Sequence, residues 1–167
     1  MGSLLRGVNG VRWADLGDAA GASAGGIPSL LSRIAYGDEV AARTAIDELG
    51  DVICALGFVV SDATAPTVPF LVELFGAPHT ACKTELLDLL GSICQSDQWH
   101  SAAVAARGDE RDASYRQQLG WEDAARTAVF ASRSVIEGAA SSALPEEATA
   151  ARRLLRVMDH STPFPEL

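Results

Sequence analysis

At 167 residues the chain reads as one domain, long enough to bury a hydrophobic core without covalent staples. Apolar residues make up 48% and charged residues 21%, and the net charge is −9 with Lys83 the only lysine. An acidic chain whose arginines are scattered lacks the basic stripe that neutralises phosphates, which argues against nucleic-acid binding, and no apolar run approaches the ~18 residues of a membrane span.

Residues 1–26 read as a lead-in, frayed over 1–12, with a short helix at Trp13–Leu16 and a Gly/Ala-rich loop from Gly17 to Gly26. Arg6, Asn9 and Arg12 interrupt the apolar residues near the start, so no secretory core is legible and a cytoplasmic setting is expected. Pro28 suits the first turn of a helix, and Ile27, Leu30, Leu31 and Ile34 have helical spacing. Gly37 closes that helix and Asp38 caps the next. The second helix, 39–55, buries Ala41, Ala45, Ile46, Leu49, Val52 and Ile53 and turns Asp47, Glu48 and Asp51 outward. Gly57 to Val60 reads as a packed connector, too short for a sheet.

Residues 61–66 open a second unit, whose short helix holds Val68, Leu71, Val72, Leu74 and Phe75. A second long helix is expected from about Thr80 to Gln95, burying Cys82, Leu86, Leu87, Leu90 and Ile93. Residues 97–120 form a polar connector with a short helix near 98–106 and another starting near 110. Helical spacing resumes at Trp121, Ala125, Val129, Phe130, Val135 and Ile136, and Pro145 feeds a last helix, 146–159. Residues 160–167, with two prolines, read as a loose tail.

The two central units are one pattern written twice, 41 positions apart. Pro28 falls on Pro69, Leu30 on Leu71, Ile46 on Leu87, Asp47 on Asp88, Leu49 on Leu90 and Gly50 on Gly91. A helix-turn-helix unit recurring at this spacing is the mark of an α-solenoid. A weaker third copy sets Arg152 on Arg43, Leu155 on Ile46 and Met158 on Leu49. The expected units are 27–56, 68–96 and 121–159, with no strand between 27 and 94. The paired Gly50 and Gly91 suggest close helix–helix approach. Cys54, Cys82 and Cys94 are odd in number and lack CxxC spacing, so they read as buried small hydrophobes rather than a disulfide framework or zinc ribbon.

Trp13 with Gly26-Ile27-Pro28 and Leu30-Leu31, Arg43 with Ala45 to Leu49, the block Asp62 to Leu71, Trp121 with Ala128-Val129, and Arg152 to Leu155 together resemble a family of actinobacterial HEAT-repeat proteins, mostly of unassigned role. The likeness covers most of residues 13–159. It implies an all-α fold, a HEAT-like α-α superhelix of about three helix pairs, and it implies no reaction. Many members carry a His-Gln-Gly step where this chain reads Ala55-Leu56-Gly57. HEAT-like DNA glycosylases share the architecture, but their basic concave surface and a matching motif are missing here.

The sharpest candidate site is an acidic row. Asp47 and Asp88 fall at one repeat position, on helices whose axes would lie about 8–10 Å apart, with Glu48, Asp51 and Glu85 beside them. The row would suit a protein or peptide partner with a basic surface; the plain alternative is a solvated helix face. Arg152, Arg153 and Arg156 form a basic patch that could meet the acidic row of a second copy in a homodimer. Trp99, His100 and Trp121 could line a pocket, although such aromatics more often plug gaps between units. His79, His100 and His160 show no ligand spacing, so no metal, cofactor or catalytic residue is assigned. The reading is a non-enzymatic binding or adaptor protein working through the concave face of helices 39–55, 80–95 and 146–159. The alternatives are a small enzyme or biosynthetic accessory protein, with a pocket between the repeats and residues 96–121, and an immunity-type inhibitor.

Overall fold

The computed structural model describes residues 4–18, 20–105 and 115–161, and among these the protein is all-α apart from one minimal hairpin and an isolated Gly17–Ser23 bridge. Helix α1 (Ile27–Tyr36) starts with Pro28 in its first turn, where a missing N–H is harmless. It stops at Gly37, where a side chain would run into the Arg33 carbonyl. Asp38 then accepts from Ala41 N at 2.8 Å and caps α2 (Glu39–Ile53). Ala45 is buried as expected, and Ala42 is buried with it, whereas Ala41, expected in the core, is only half-buried.

After α2 the expectation of no strand fails on a small scale. Cys54–Ala55 (β1) pairs antiparallel with Val59–Val60 (β2), because Leu56 and Gly57 both take positive φ and fold the chain back on itself. The hairpin leads into α3 (Thr64–Gly76), which begins earlier than its apolar residues suggest. Ser61 N donates to Thr64 Oγ1, Ala63 N donates to Ser61 Oγ, and the Thr64 hydroxyl donates to the Ile53 carbonyl. These bonds start the helix and tie it to the end of α2. Pro66 therefore takes the harmless first-turn place, and Pro69, expected to open the helix, lies inside it on the exposed side.

Helix α4 (Lys83–Gln95) starts after the expected Thr80, preceded by Cys82 in the left-handed region at φ 60. Cys82 is thus a half-buried turn residue rather than a core position, whereas Cys54 and Cys94 are buried. Helices α5 (Gln98–Ala105), α6 (Arg116–Phe130), α7 (Arg133–Ala140) and α8 (Pro145–His160) follow. The helix expected from near 110 begins, as far as it is described, at Arg116, and residues 106–114 lie outside the described residues. His160 is still helical, and the rest of the expected tail, from 162, also lies outside them.

Among the described residues, consecutive helices pack on one another as α1 with α2, α3 with α4, α5 with α6 and α7 with α8. Across pairs, α4 lies against both α2 and α8, while α3 lies against α1 and α6. One layer is therefore α2–α4–α8, the other α1–α3–α6, with a single apolar core between them that includes Leu31, Leu49, Leu71, Leu90, Val129 and Leu154. Residues 121–159, expected as one unit, fall across three helices rather than two.

Two further expectations are corrected by packing. An added Cβ at Gly50 would meet Leu89 Cδ1 at 3.8 Å, and one at Gly91 would meet Leu154 Cδ1 at 3.8 Å. These are ordinary contacts, so close approach does not require either glycine. The same geometry makes Leu154 the counterpart of Leu89. They are 65 positions apart, three fewer than the third-copy alignment demands, and α8 sits about one turn out of that register. The lead-in is not frayed where it is described. Val8 and Trp13 are buried, Trp13 packs on Phe70 at 5.9 Å, Leu5 N donates to Glu73 and Gly17 N to Asp62, so residues 4–17 pack against α3 and the turn before it.

Candidate functional site

Helices α2, α4 and α8 turn their polar sides outward together, and two grooves run across this face. The shallower, about 310 Å³, lies between α2 and α4 and is bordered by Asp47, Asp51, Glu85, Asp88 and Ser92. Both repeat-related aspartates therefore border the same depression. Most of the acidic row is already engaged, however. Glu48 pairs with Arg33 at 3.1 Å, Glu85 with Arg43 at 3.6 Å and Asp88 with Arg153 at 3.2 Å, all substantially exposed and weak individually. Asp47 and Asp51 are exposed and have no hydrogen-bond or ion-pair partner among the described residues.

The arginine that meets the row is Arg153; Arg152 and Arg156, singled out from the sequence, stand exposed and outside any ion pair among the described residues. The reason is the one-turn offset of α8, which brings position 153 opposite Asp88. Arg153 belongs to the basic patch expected on the last helix, whereas Arg33 and Arg43 were the missed members of this surface. Arg43 shares a helical face with Glu39 and Asp47, but Arg33 lies on α1, which carries no acid, and had no such signal.

The second groove, about 900 Å³, opens where α2, α4 and α8 begin. Arg43 and Glu39 stand on one side, Lys83 and Glu85 in the middle, Glu146 and Glu147 on the other. Arg43 donates to Glu39 at 2.8 Å, and these carboxylates hold its pKa above the ordinary value. Cys82 lines this groove, but burial, and next the nearby Glu85 carboxylate, push its thiol pKa up, which disfavours a reactive thiolate.

Trp99, His100 and Trp121 do come together, with a partner that the sequence reading passed over. Glu122, buried in α6, accepts from Trp99 N at 3.0 Å, from His100 N at 2.8 Å and lies 2.6 Å from His100 Nδ1. With the carboxylate ionised, only the ring nitrogen can supply the last proton. Glu122 thus reaches across from α6 to satisfy the first amides of α5. Trp99 donates its ring N–H to the Val60 carbonyl at 3.0 Å and meets Trp121 edge to face at 6.3 Å. The two tryptophans fill the junction between the hairpin and α6. One turn on from Glu122, Arg126 donates to the Cys94 carbonyl at 3.0 Å, placing a cation at the end of α4. Two charged residues on the face that also carries Ala125 and Val129 are the signal that could have disclosed this polar junction.

Burial is the main influence on Glu122 and raises its pKa against the lowering effect of its hydrogen bonds. Among the described residues no group of three or more His, Cys, Asp or Glu is placed to hold a metal ion, and no helix is long and apolar enough to cross a membrane. Comparison with protein-family models, curated proteins and solved structures returns no match, so the HEAT-repeat resemblance stands on the quoted residues alone.

Proposed function

We propose that this chain is a short HEAT-like α-solenoid of the type seen in actinobacterial HEAT-repeat proteins, and that it acts as a non-enzymatic binding or adaptor protein. Its partner is a protein or peptide with a basic surface, taken up on the concave side formed by α2, α4 and α8. The observation that carries this reading is the shallow groove between α2 and α4, where Asp47 and Asp51 remain unpaired while their neighbours are neutralised by arginines. Two exposed carboxylates one turn apart on α2 can each accept a charge-assisted hydrogen bond from a partner's arginine or lysine. Stacked helix pairs present such extended faces as a matter of geometry. The immunity-type inhibitor would use the same face against a basic target. The small-enzyme alternative draws less support, since the junction near residues 96–121 has Trp99 and Trp121 as packing and Glu122 engaged with backbone amides.

The test is capture of the native partner from source lysate, with wild type and with Asp47→Lys/Asp51→Lys compared at low and moderate salt. The expected result is one stoichiometric partner held by wild type, weakened by salt and lost in the double variant. Equal capture by both forms removes the acidic face from the function.

A further inference from the structure

The hairpin after α2 holds an apolar side chain out in solvent at a place where local chemistry asks for a polar one. We propose that its tip, Leu56 to Phe58, is the apolar half of a docking surface whose charged half is the groove between α2 and α4. The occupant is a basic peptide segment that carries an apolar residue beside its arginines or lysines. The proposal deepens the reading of that groove as the binding face and rests on it for the charge of the partner.

Phe58 N donates to the Ala55 carbonyl at 3.1 Å across a turn whose two central residues, Leu56 and Gly57, have φ 56 and φ 83. Positive φ at both places favours Asn-Gly and penalises a bulky side chain that cannot bond back to its own turn. Leucine gains little inside the fold in return, since 82% of its surface is exposed, and Phe58 beside it is 44% exposed. The base of the hairpin, by contrast, is held in place. Cys54 and Val60 are buried, and Trp99 donates its ring N–H to the Val60 carbonyl. The tip is thus presented in a fixed position, which lowers the ordering cost of binding to it. A residue that breaks the local rule of its turn without a packing gain belongs to an interaction outside the chain.

Location decides what covers the tip. Gly57, between the two exposed side chains, borders the same groove as Asp47, Asp51 and Asp88. Asp47 and Asp51 have no ion-pair partner among the described residues. These carboxylates repel an anionic lipid surface, and a second copy of a chain with net charge −9 is repelled as well. A basic segment is attracted, and burial of Leu56 against an apolar neighbour adds affinity that salt does not screen.

The test titrates the whole chain into fluorescein-(Arg-Leu-Ala-Arg)3-amide, and into a counterpart with serine in place of leucine, and reads fluorescence anisotropy. Wild type should prefer the leucine peptide about tenfold, a part of what full burial of a leucine side chain supplies. Leu56→Asn suits the turn and keeps the fold, and it should bind both peptides alike, at the level of the serine peptide. Asp47→Lys/Asp51→Lys should weaken both peptides and leave their ratio unchanged. A leucine preference that survives in Leu56→Asn, its absence in wild type, or no saturable binding of either peptide overturns the tip. So does sedimentation of wild type as a dimer that Leu56→Asn dissociates, because a second copy is then the occupant. The two readings fail separately. Binding lost in Asp47→Lys/Asp51→Lys with the preference kept in Leu56→Asn sinks the tip alone. Wild-type affinity in Asp47→Lys/Asp51→Lys with the preference lost in Leu56→Asn sinks only the acidic face.

Discussion

Replacing Glu122 by alanine removes one carboxylate and strands three donors, the amides of Trp99 and His100 and the His100 ring. Each hydrogen bond to a charged group is worth about 1.5–3 kcal/mol, but the three share one side chain and do not add. Leaving buried donors unsatisfied costs about 1–3 kcal/mol for each, so a loss of about 3–5 kcal/mol is expected. For a chain of this size each kcal/mol moves Tm by about 2–4 °C, giving a fall of roughly 6–20 °C. Glu122→Gln keeps an oxygen for the His100 donors and turns an NH2 group against Trp99 N–H, so about 1–2 kcal/mol is expected. The pH response separates charge from shape. Burial raises the Glu122 pKa, so the folded state holds this proton more tightly than the unfolded chain does. Its stabilising contribution is complete below the ordinary glutamate range and is lost as pH rises through the raised folded value. The stability advantage of wild type over Glu122→Gln should therefore shrink as pH rises across that window. Urea denaturation of the three proteins from acid to neutral pH measures it. Equal midpoints for the alanine and glutamine variants would refute the account of Glu122 as the acceptor that holds α5.

Gly50→Ala and Gly91→Ala should each raise stability, by up to about 1 kcal/mol, because a methyl fits beside Leu89 or Leu154 and helix propensity improves; a lowered Tm for either would restore the close-approach reading. Leu56→Asn should stabilise by about 1 kcal/mol, since Leu56 sits at φ 56 with 82% of its surface exposed and asparagine tolerates that region. Thermal melts decide it, and a loss of stability would mean that the exposed leucine makes contacts the turn depends on.

Much of the helical framework was legible from local chemistry. Pro28, Gly37 and Asp38 delimit α1 and α2 through bonds that span only a few residues, and the apolar spacing of Ile46, Leu49 and Ile53 names the buried side. Repetition of that pattern 41 positions later carried the pairing of α3 with α4 and placed Asp47 and Asp88 at one groove. The start of α3 was misjudged because an apolar pattern shows which residues are buried, whereas the Ser61 and Thr64 hydrogen bonds show where the helix begins.

What the chain alone determined is therefore its succession of helices and their apolar sides, because both arise from interactions within a turn or two. The tertiary structure decided which charges remain available. Arg153 rather than Arg156 meets Asp88 because α8 lies one turn out of the repeat register, and Glu122 became a cap for α5 because α6 crosses its start. Pairings between residues 22 or 65 positions apart depend on how whole helices dock, and docking is set by core shape that no local pattern records.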